Sequence, residues 1–254
     1  MDFSSYFAQI AVGCLGLAPV VPWRAVGRGY YVMMLTVGLA LLPVAWLFRP
    51  TGEGSGADLV LFAGCGAAGL ASLALFLGGR GGAGAALALA AAILGWAALA
   101  ADGARVAASA KGPAAHPALL AANFLAGGLL LGSGLSAMLL GHWYLVVKDL
   151  PVRPLKTLTI LFFVGLGARA AATLAAFLLD PEGGRAVADR SFLFVLVYGL
   201  FSLGTPTGMS WMVWGTVKIR STQAATGILY GVVAFLLMGE AAGRFVLVKT
   251  GFPL

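Results

Sequence analysis

The sequence predicts an all-α polytopic membrane protein with about eight transmembrane helices, and two observations support this fold class. Of the 254 residues, 61% are hydrophobic and only 10% are charged, a composition far from that of a soluble domain. The apolar residues also fall into runs of about 20, the length that crosses a bilayer as a helix. The connections between these runs are short, so residues 1–254 are predicted to form a single transmembrane domain.

The predicted spans cover residues 4–22, 29–48, 57–79, 82–101, 117–147, 155–179, 191–217 and 221–248. The first residues, MDFSS, lack the basic segment of a cleavable signal peptide, so the first run is expected to remain as a span. Only Arg80 and the glycines beside it divide the third span from the fourth. The fifth span is the longest and exceeds the apolar core of a bilayer, which requires it to tilt, bend or protrude.

The connections predict the orientation of the chain in the membrane. Those after the first, third, fifth and seventh spans are short and basic, with Asp149 as their only acid. Their basic residues are Arg24, Arg28, Arg80, Lys148, Arg153, Lys156, Lys218 and Arg220. Because positive loops stay in the cytoplasm, both termini are predicted to lie outside it. The predicted location is a bacterial-type inner (cytoplasmic) membrane, crossed several times.

The net charge of +7 is attributed to this topology and to contact with lipid headgroups. No basic helix or soluble module is available to bind nucleic acid, so the lipid bilayer is the first predicted partner and nucleic acid is not one.

Three ionisable residues lie inside predicted spans, where a charge is costly and usually faces the protein interior. Arg169 is 10 residues from the outer end of the sixth span, and Glu240 is 8 residues from that of the eighth. At 1.5 Å per residue these positions are about 15 Å and about 12 Å deep, and Arg244 is about 6 Å deep. Arg169 is therefore at a depth where it can meet Glu240. Two interpretations follow: a polar pocket in the outer half of the membrane, or a salt bridge that fastens two spans together.

The small residues around Glu240 favour a close approach by a neighbouring helix or by a flat ring. A quinone suits such a setting, because its carbonyl groups accept hydrogen bonds from arginine and a carboxyl group exchanges its protons. Glu240, Arg244 and Arg169 are accordingly the predicted quinone and proton site.

His142, Trp143 and Tyr144 lie near the inner end of the fifth span. They form either an interfacial anchor or an inner-side contact for protons or quinone. His116, the second histidine, is 26 residues away, about 39 Å along a helix, so the two cannot both ligate one haem.

Cys14 and Cys65 are most simply buried thiols without a metal-ligand spacing. No haem or metal is therefore predicted within the chain. The common signatures of hydrolases and nucleotide-binding enzymes are absent from the sequence, which favours a non-catalytic subunit.

The segment TPTGMS interrupts the seventh span and contains Thr205, Pro206, Thr207 and Ser210. Such a break can line a cavity, and its hydroxyl groups can then form hydrogen bonds with the backbone groups that have lost their helical partners. A simple proline kink is the other interpretation.

The last helix carries the motif GExxGR, formed by Gly239, Glu240, Gly243 and Arg244. With eight spans and external termini, this resembles the membrane anchor subunits of dimethyl sulfoxide reductase and, more loosely, of polysulfide reductase. The resemblance implies a subunit of a respiratory complex that exchanges electrons and protons between quinone and an iron–sulfur or cytochrome partner. It also implies that Glu240 and Arg244 lie at or near the quinone. The sequence departs from that family in the start of its first helix and in the segment GHWYL.

Two other function classes remain open at the level of the sequence. One is a small proton-coupled secondary transporter that uses Glu240 for coupling and the TPTGMS segment for substrate. The other is a structural or assembly subunit whose small-residue helices pack against partner proteins.

Overall fold

The computed structural model describes residues 3–49, 56–110, 112–147 and 150–254, and within these ranges the chain contains helices and no strand. Its apolar helices are α1 (Ser4–Val20), α2 (Arg28–Leu47), α3 (Ala57–Leu77), α4 (Gly81–Ser109), α5 (Pro117–Val146), α6 (Arg153–Leu179), α7 (Phe192–Lys218) and α8 (Thr222–Thr250). The helices α2 to α8 are long and apolar enough to cross a membrane, and α1 is shorter. The predicted all-α polytopic bundle is confirmed.

The helices α1 and α5 form the centre of the bundle. Thirteen of the fourteen residues Ser4–Leu17 are buried, and 72% of the apolar stretch of α5 is buried against 17% for α7. The two central backbones meet at glycines, because a Cβ atom on Gly13 would lie only 2.6 Å from the Cα atom of Gly132. A helix that is buried on all sides needs apolar residues on all of its faces. This explains why neither α1 nor α5 has a distinct polar face.

The remaining helices surround this centre in two similar groups. In the N-terminal half, α2 and α4 pack against α1, and α3 packs across α2 and α4. In the C-terminal half, α6 and α8 pack against α5, and α7 packs across α6 and α8. The contacts of α5 with α1 and α4 join the halves.

The start of α1 and the end of α8 lie at the same end of the bundle, since Ser5 and Thr250 line one cavity there. We call this the terminal end and the opposite one the basic end. The short connections at the basic end carry most of the basic residues used to predict orientation; Lys148 and Asp149 lie outside the described residues. Which end faces the cytoplasm remains a prediction.

The main correction to the predicted spans concerns α4, which continues to Ser109 instead of ending at residue 101. Asp102 and Arg105, predicted to lie in a connection, are therefore part of a helix. Small residues such as Gly103 allow this extension to pack tightly, because a Cβ atom there would lie 2.7 Å from the Cα atom of Ala121 in α5. The third and fourth spans are separate helices, joined by a turn in which Gly79 has a φ of 79°.

The predicted break in the seventh span lies at a different place from the one expected. Thr205–Lys218 is regular α-helix, and the irregular segment is the π-helical turn Gly199–Gly204 that precedes it. Pro206 explains the turn, because its ring has no N–H and clashes with the carbonyl group four residues earlier, at Ser202. The π turn accommodates this clash without ending the helix.

Candidate functional site

Arg169 of α6 and Glu240 of α8 form a buried salt bridge in the C-terminal half. The Arg169 Nε atom donates to both carboxylate oxygens of Glu240, at 2.9 Å and 3.1 Å, and Nη2 donates to Oε2 at 2.9 Å. Each side chain is only 2% exposed. The contact is the two-pronged guanidinium–carboxylate geometry that gives the strongest pairing between these groups. The meeting of Arg169 and Glu240 that their predicted depths allow thus corresponds to direct contact.

Groups from three further segments complete the surroundings of this pair. The backbone carbonyl of Asn123 in α5 accepts a hydrogen bond from Arg169 Nη1 at 3.5 Å. The Ser202 hydroxyl donates to Glu240 Oε1. The ring of Tyr198 lies 5.3 Å from the guanidinium carbon of Arg169, within the range of a cation–π contact. Both charged groups therefore have most of their hydrogen-bonding capacity satisfied by the protein.

The π turn places Ser202 against Glu240, and the GExxGR motif of α8 makes the contact close enough. A Cβ atom on Gly239 would collide with the backbone of Phe201 and Ser202. A Cβ atom on Gly243 would lie 2.8 Å from the ring of Tyr198. The groups that approach these two glycines are the backbone and the Tyr198 ring of α7.

Arg244 lies one turn beyond Glu240 and has a different environment. Its guanidinium carbon is 4.1 Å from the ring centroid of Phe124, and the residue is 5% exposed. It also lines a cavity at the terminal end. The structure therefore brings Arg169 and Glu240 together and gives Arg244 a separate position, instead of one pocket lined by all three.

A second group of charges lies at the terminal end of the N-terminal half, and the sequence did not reveal it. Arg49 Nη2 is 2.7 Å from Asp58 Oδ2, and Arg105 Nη2 is 2.7 Å from Asp102 Oδ1. Arg105 Nε also lies 3.4 Å from Asp58, which joins the two pairs into one network across α2, α3 and α4. Both aspartates are buried, at 3% and 1% exposure.

An open crevice of about 310 Å³ adjoins this network, and we call it the lateral crevice. Its walls are mostly apolar and come from α1, α2, α3 and α4; they include Leu42, Pro43, Trp46, Leu59, Phe62 and Gly66. Trp46 is 62% exposed and Ala63 is also exposed, so the crevice opens on the side of the bundle. Its polar lining consists of Ser4, Arg49 and Asp102.

A second cavity, of about 340 Å³, lies between α1, α4 and α8, and we call it the terminal cavity. Its lining includes Ser5, Arg105, Ser109, Arg244, Leu247 and Thr250. Arg105 thus contacts the charge network and also lines this cavity. Arg169 and Glu240 line neither the lateral crevice nor the terminal cavity.

The predicted group at the basic end has mainly backbone contacts. Trp143 Nε1 donates to the carbonyl of Val26 at 2.9 Å, and the Tyr144 hydroxyl donates to that of Pro151 at 2.8 Å. His142 is exposed, and its Nδ1 lies 2.9 Å from the hydroxyl of Tyr230 in α8. Trp143 and Tyr144 thus fasten connections at this end, while His142 stays accessible.

The hydroxyl groups of the TPTGMS segment bond to their own helix. Thr207 donates to the carbonyl of Leu203 at 2.6 Å, and Ser210 donates to that of Thr207 at 2.7 Å. These bonds satisfy carbonyl groups near Pro206, as expected for a proline within a membrane helix.

Within the described ranges, no three histidine, cysteine, aspartate or glutamate residues are grouped so that they could hold a metal ion. His116 accepts a hydrogen bond from the backbone of Ala118 at the start of α5. Cys14 and Cys65 are buried free thiols.

The charge network had one usable signal in the sequence. Small and apolar residues continue past residue 101 through ADGARVAAS, so the helical pattern of α4 extends over Asp102 and Arg105. Residues three apart share one helix face, which predicts their pairing.

Comparison of the chain with protein-family models, with curated proteins and with solved structures finds no match.

Proposed function

We propose that the chain is a membrane subunit of a respiratory electron-transfer complex that binds quinone or quinol in the lateral crevice. The observation that carries the proposal is the combination of apolar walls, a lateral opening and a polar lining of Arg49 and Asp102. A quinone has the matching chemistry: a flat apolar ring, an isoprenoid tail that stays in lipid, and carbonyl groups that accept hydrogen bonds. Its site is expected to be a mostly apolar pocket with few polar groups.

The walls of the crevice suit entry from the bilayer. Trp46 and Ala63 are exposed on the side of the bundle, and Leu42 and Phe62 lie beside them. A lipophilic molecule that diffuses in the membrane can enter between α2 and α3 without crossing water. The volume of about 310 Å³ is at the lower limit of common ligand pockets, which is sufficient for a ring while the tail remains outside.

The polar lining supplies one donor and one proton-exchanging group. The Nε atom of Arg49 is buried and has no hydrogen-bond partner among the described residues, although Nη2 of the same side chain is paired with Asp58. Arg49 Nε is thus available to a quinone carbonyl. Asp102 is the carboxylate that faces the crevice, and oxidation of a quinol releases two protons along with two electrons.

The electrons require a redox partner, and we assign this role to an iron–sulfur or cytochrome subunit docked at the terminal end. Arg49 follows the end of α2 at Leu47, and Asp102 lies about two turns before the end of α4 at Ser109, so the polar part of the crevice is on the side of the terminal end. The Arg169–Glu240 pair, predicted from the sequence to be the quinone site, is proposed instead to hold α6 against α8. Its carboxylate already accepts three hydrogen bonds from Arg169 and one from Ser202.

The proposal is tested by filling the crevice and measuring bound quinone. Gly66 lines the crevice, and a Cβ atom there would meet only Leu42, at 3.6 Å. We expect Gly66→Leu to place its side chain in the crevice and to remove most of the quinone that co-purifies with the protein, measured by solvent extraction and chromatography. Gly167→Leu is the matched control, because Gly167 is exposed on α6 with no atom within 4 Å of a Cβ.

Wild-type protein purified from quinone-containing membranes without bound quinone, and unable to bind an added short-chain quinone, would overturn the proposal. So would equal quinone content in the Gly66→Leu variant and the wild type. Proton-coupled uptake by liposomes containing only this chain would favour the transporter class instead.

A further inference from the structure

Two bonded residues of α4 connect the lateral crevice with the terminal cavity. Asp102 lines the crevice, and Arg105, three residues further along the helix, lines the cavity. Arg105 donates to Asp102 Oδ1 from Nε at 3.1 Å and from Nη2 at 2.7 Å. The start of α1 adjoins the same two spaces, since Ser4 lines the crevice and Ser5 lines the cavity. The carboxylate of the crevice therefore lies one side chain away from the terminal cavity.

The terminal cavity is polar enough to hold water. Residues with hydroxyl groups line it from three helices: Ser5 of α1, Ser109 of α4 and Thr250 of α8. Ser109 and Thr250 are exposed and lie at the ends of their helices, so the cavity opens at the surface of the terminal end. Its volume of about 340 Å³ has room for several water molecules, each of which needs about two to four polar partners.

Ser5 provides an independent indication that water reaches the inside of this cavity. The residue is 1% exposed, and its hydroxyl oxygen has no hydrogen-bond partner in the described part of the chain. Buried hydroxyl groups are normally bonded to the protein or to ordered water, because an unsatisfied one is costly. Gln9 lies four residues further along α1 on the same face, and its Nε2 atom also lacks a partner among the described residues. The cavity gives water access to the first of these two groups.

We propose that the terminal cavity is a water-filled exit for the protons that quinol oxidation releases at Asp102. This inference rests on the proposed function, since the protons come from a quinol bound in the lateral crevice. The quinol gives two electrons to the redox partner, and its two O–H bonds break in turn. Each proton forms an O–H bond with the Asp102 carboxylate, and that bond breaks when the proton passes to water in the terminal cavity.

Arg105 is a positioning residue in this step. An arginine side chain does not lose its proton in proteins, so Arg105 does not carry the proton itself. Its two bonds to Oδ1 hold the Asp102 carboxylate at the boundary between the crevice and the cavity. Ser5 lies on the cavity side of this boundary, where its hydroxyl group orders the water that receives the proton.

Cysteine labelling of the purified chain in a neutral detergent measures whether water reaches Ser5. The probe is iodoacetamide, a small neutral reagent that attacks the thiolate, and a thiolate forms readily where water reaches the sulfur. We expect Ser5→Cys to react about 100-fold faster than Ser136→Cys. Ser136 is the matched control: it is buried and its hydroxyl also lacks a partner among the described residues, yet it lines neither the crevice nor the cavity. The native buried thiols of Cys14 and Cys65 give the background rate.

A second variant tests the exit itself. Ser5→Leu replaces the hydroxyl group with an apolar side chain that fills part of the cavity. We expect it to keep the quinone content of the wild type and to lower quinol-linked electron transfer in native membranes by about tenfold. Ser5→Thr keeps the hydroxyl group and should retain most of this activity. A larger solvent deuterium isotope effect in Ser5→Leu than in the wild type identifies slowed proton transfer, which a purely structural fault would not produce.

Three results would each overturn the proposal: equal labelling rates for Ser5→Cys and Ser136→Cys, unchanged quinol-linked activity in Ser5→Leu, or a loss of activity there without a change in the isotope effect. Slow labelling of Ser5→Cys together with normal quinone content would overturn the exit alone. A wild-type protein that binds no quinone would overturn the proposed function and the exit role with it, while the labelling rates stayed as expected. The two failures are therefore distinguishable.

Discussion

The two halves of the bundle each contain a group of buried charges, and the two groups differ in their surroundings. In the C-terminal half, Arg169 and Glu240 are each 2% exposed and are enclosed by α5, the π turn and Tyr198. In the N-terminal half, the side chains of Arg49 and Arg105 are 10% and 18% exposed and adjoin open cavities. Burial of a charge therefore does not by itself identify a ligand site; unused donors and free space beside the charge are also needed.

The largest expected effect comes from breaking the enclosed pair. Glu240→Gln keeps the shape of the side chain but leaves Arg169 as an uncompensated buried charge, which costs about 3–5 kcal/mol of stability. Removing both charges in the double variant Arg169→Met, Glu240→Gln should recover most of this loss. Denaturant unfolding in detergent micelles measures both values. Unchanged stability in Glu240→Gln, together with loss of quinol-linked activity, would show that the pair is the ligand site after all.

An intermediate effect is expected where α7 meets α8. Gly239→Ala places a methyl group against the backbone of Phe201 and Ser202, which cannot rotate away, so the helices must separate. Such overpacking costs about 1–3 kcal/mol. Gly227→Ala on the same helix is the control, because Gly227 has open space around it and should be neutral or slightly stabilised. Equal unfolding midpoints for the two variants would contradict the close contact between the π turn and α8.

The smallest effect is expected in the network of the N-terminal half. Asp58→Asn removes one carboxylate, but Arg105 keeps its bond to Asp102 and the Arg49 side chain retains partial exposure. The expected loss is about 1–2 kcal/mol, in the range of one charged hydrogen bond. The same unfolding measurement checks this value. A loss as large as that of Glu240→Gln would mean that the network is as completely enclosed as the pair.

Sequence reasoning predicted the C-terminal site more completely than the N-terminal one. Arg169 and Glu240 stand out because each lies within a long apolar run, and the rise per residue gives their depth. The ends of such runs contain Asp58, Asp102 and Arg105. Charged residues are common at the ends of membrane spans, so these three did not indicate a site. The spacing of Asp102 and Arg105 within α4 predicts their pairing, but the pairing of Asp58 with Arg49 and Arg105 depends on which helices are neighbours, and the order of spans along the chain does not give that.

The irregular turn of α7 shows the same limit on a smaller scale. Pro206 locates a disturbance in the seventh span to within about one turn, because proline removes a donor and crowds the preceding carbonyl. Whether the backbone unwinds, kinks or forms a π turn depends on the surfaces packed against it. Here Gly239 leaves room for the π turn, and Ser202 gains Glu240 as a partner.

The sequence alone determined the fold class and the approximate spans, because the bilayer sets the length and polarity of each helix. Only the tertiary structure decided which charges are enclosed and which adjoin a cavity. That outcome depends on the fit of side chains between neighbouring helices. Gly239 and Gly66 look alike in the sequence. In the structure, Gly239 lets the backbone of α7 pack closely beside the ion pair, whereas Gly66 lines an open crevice.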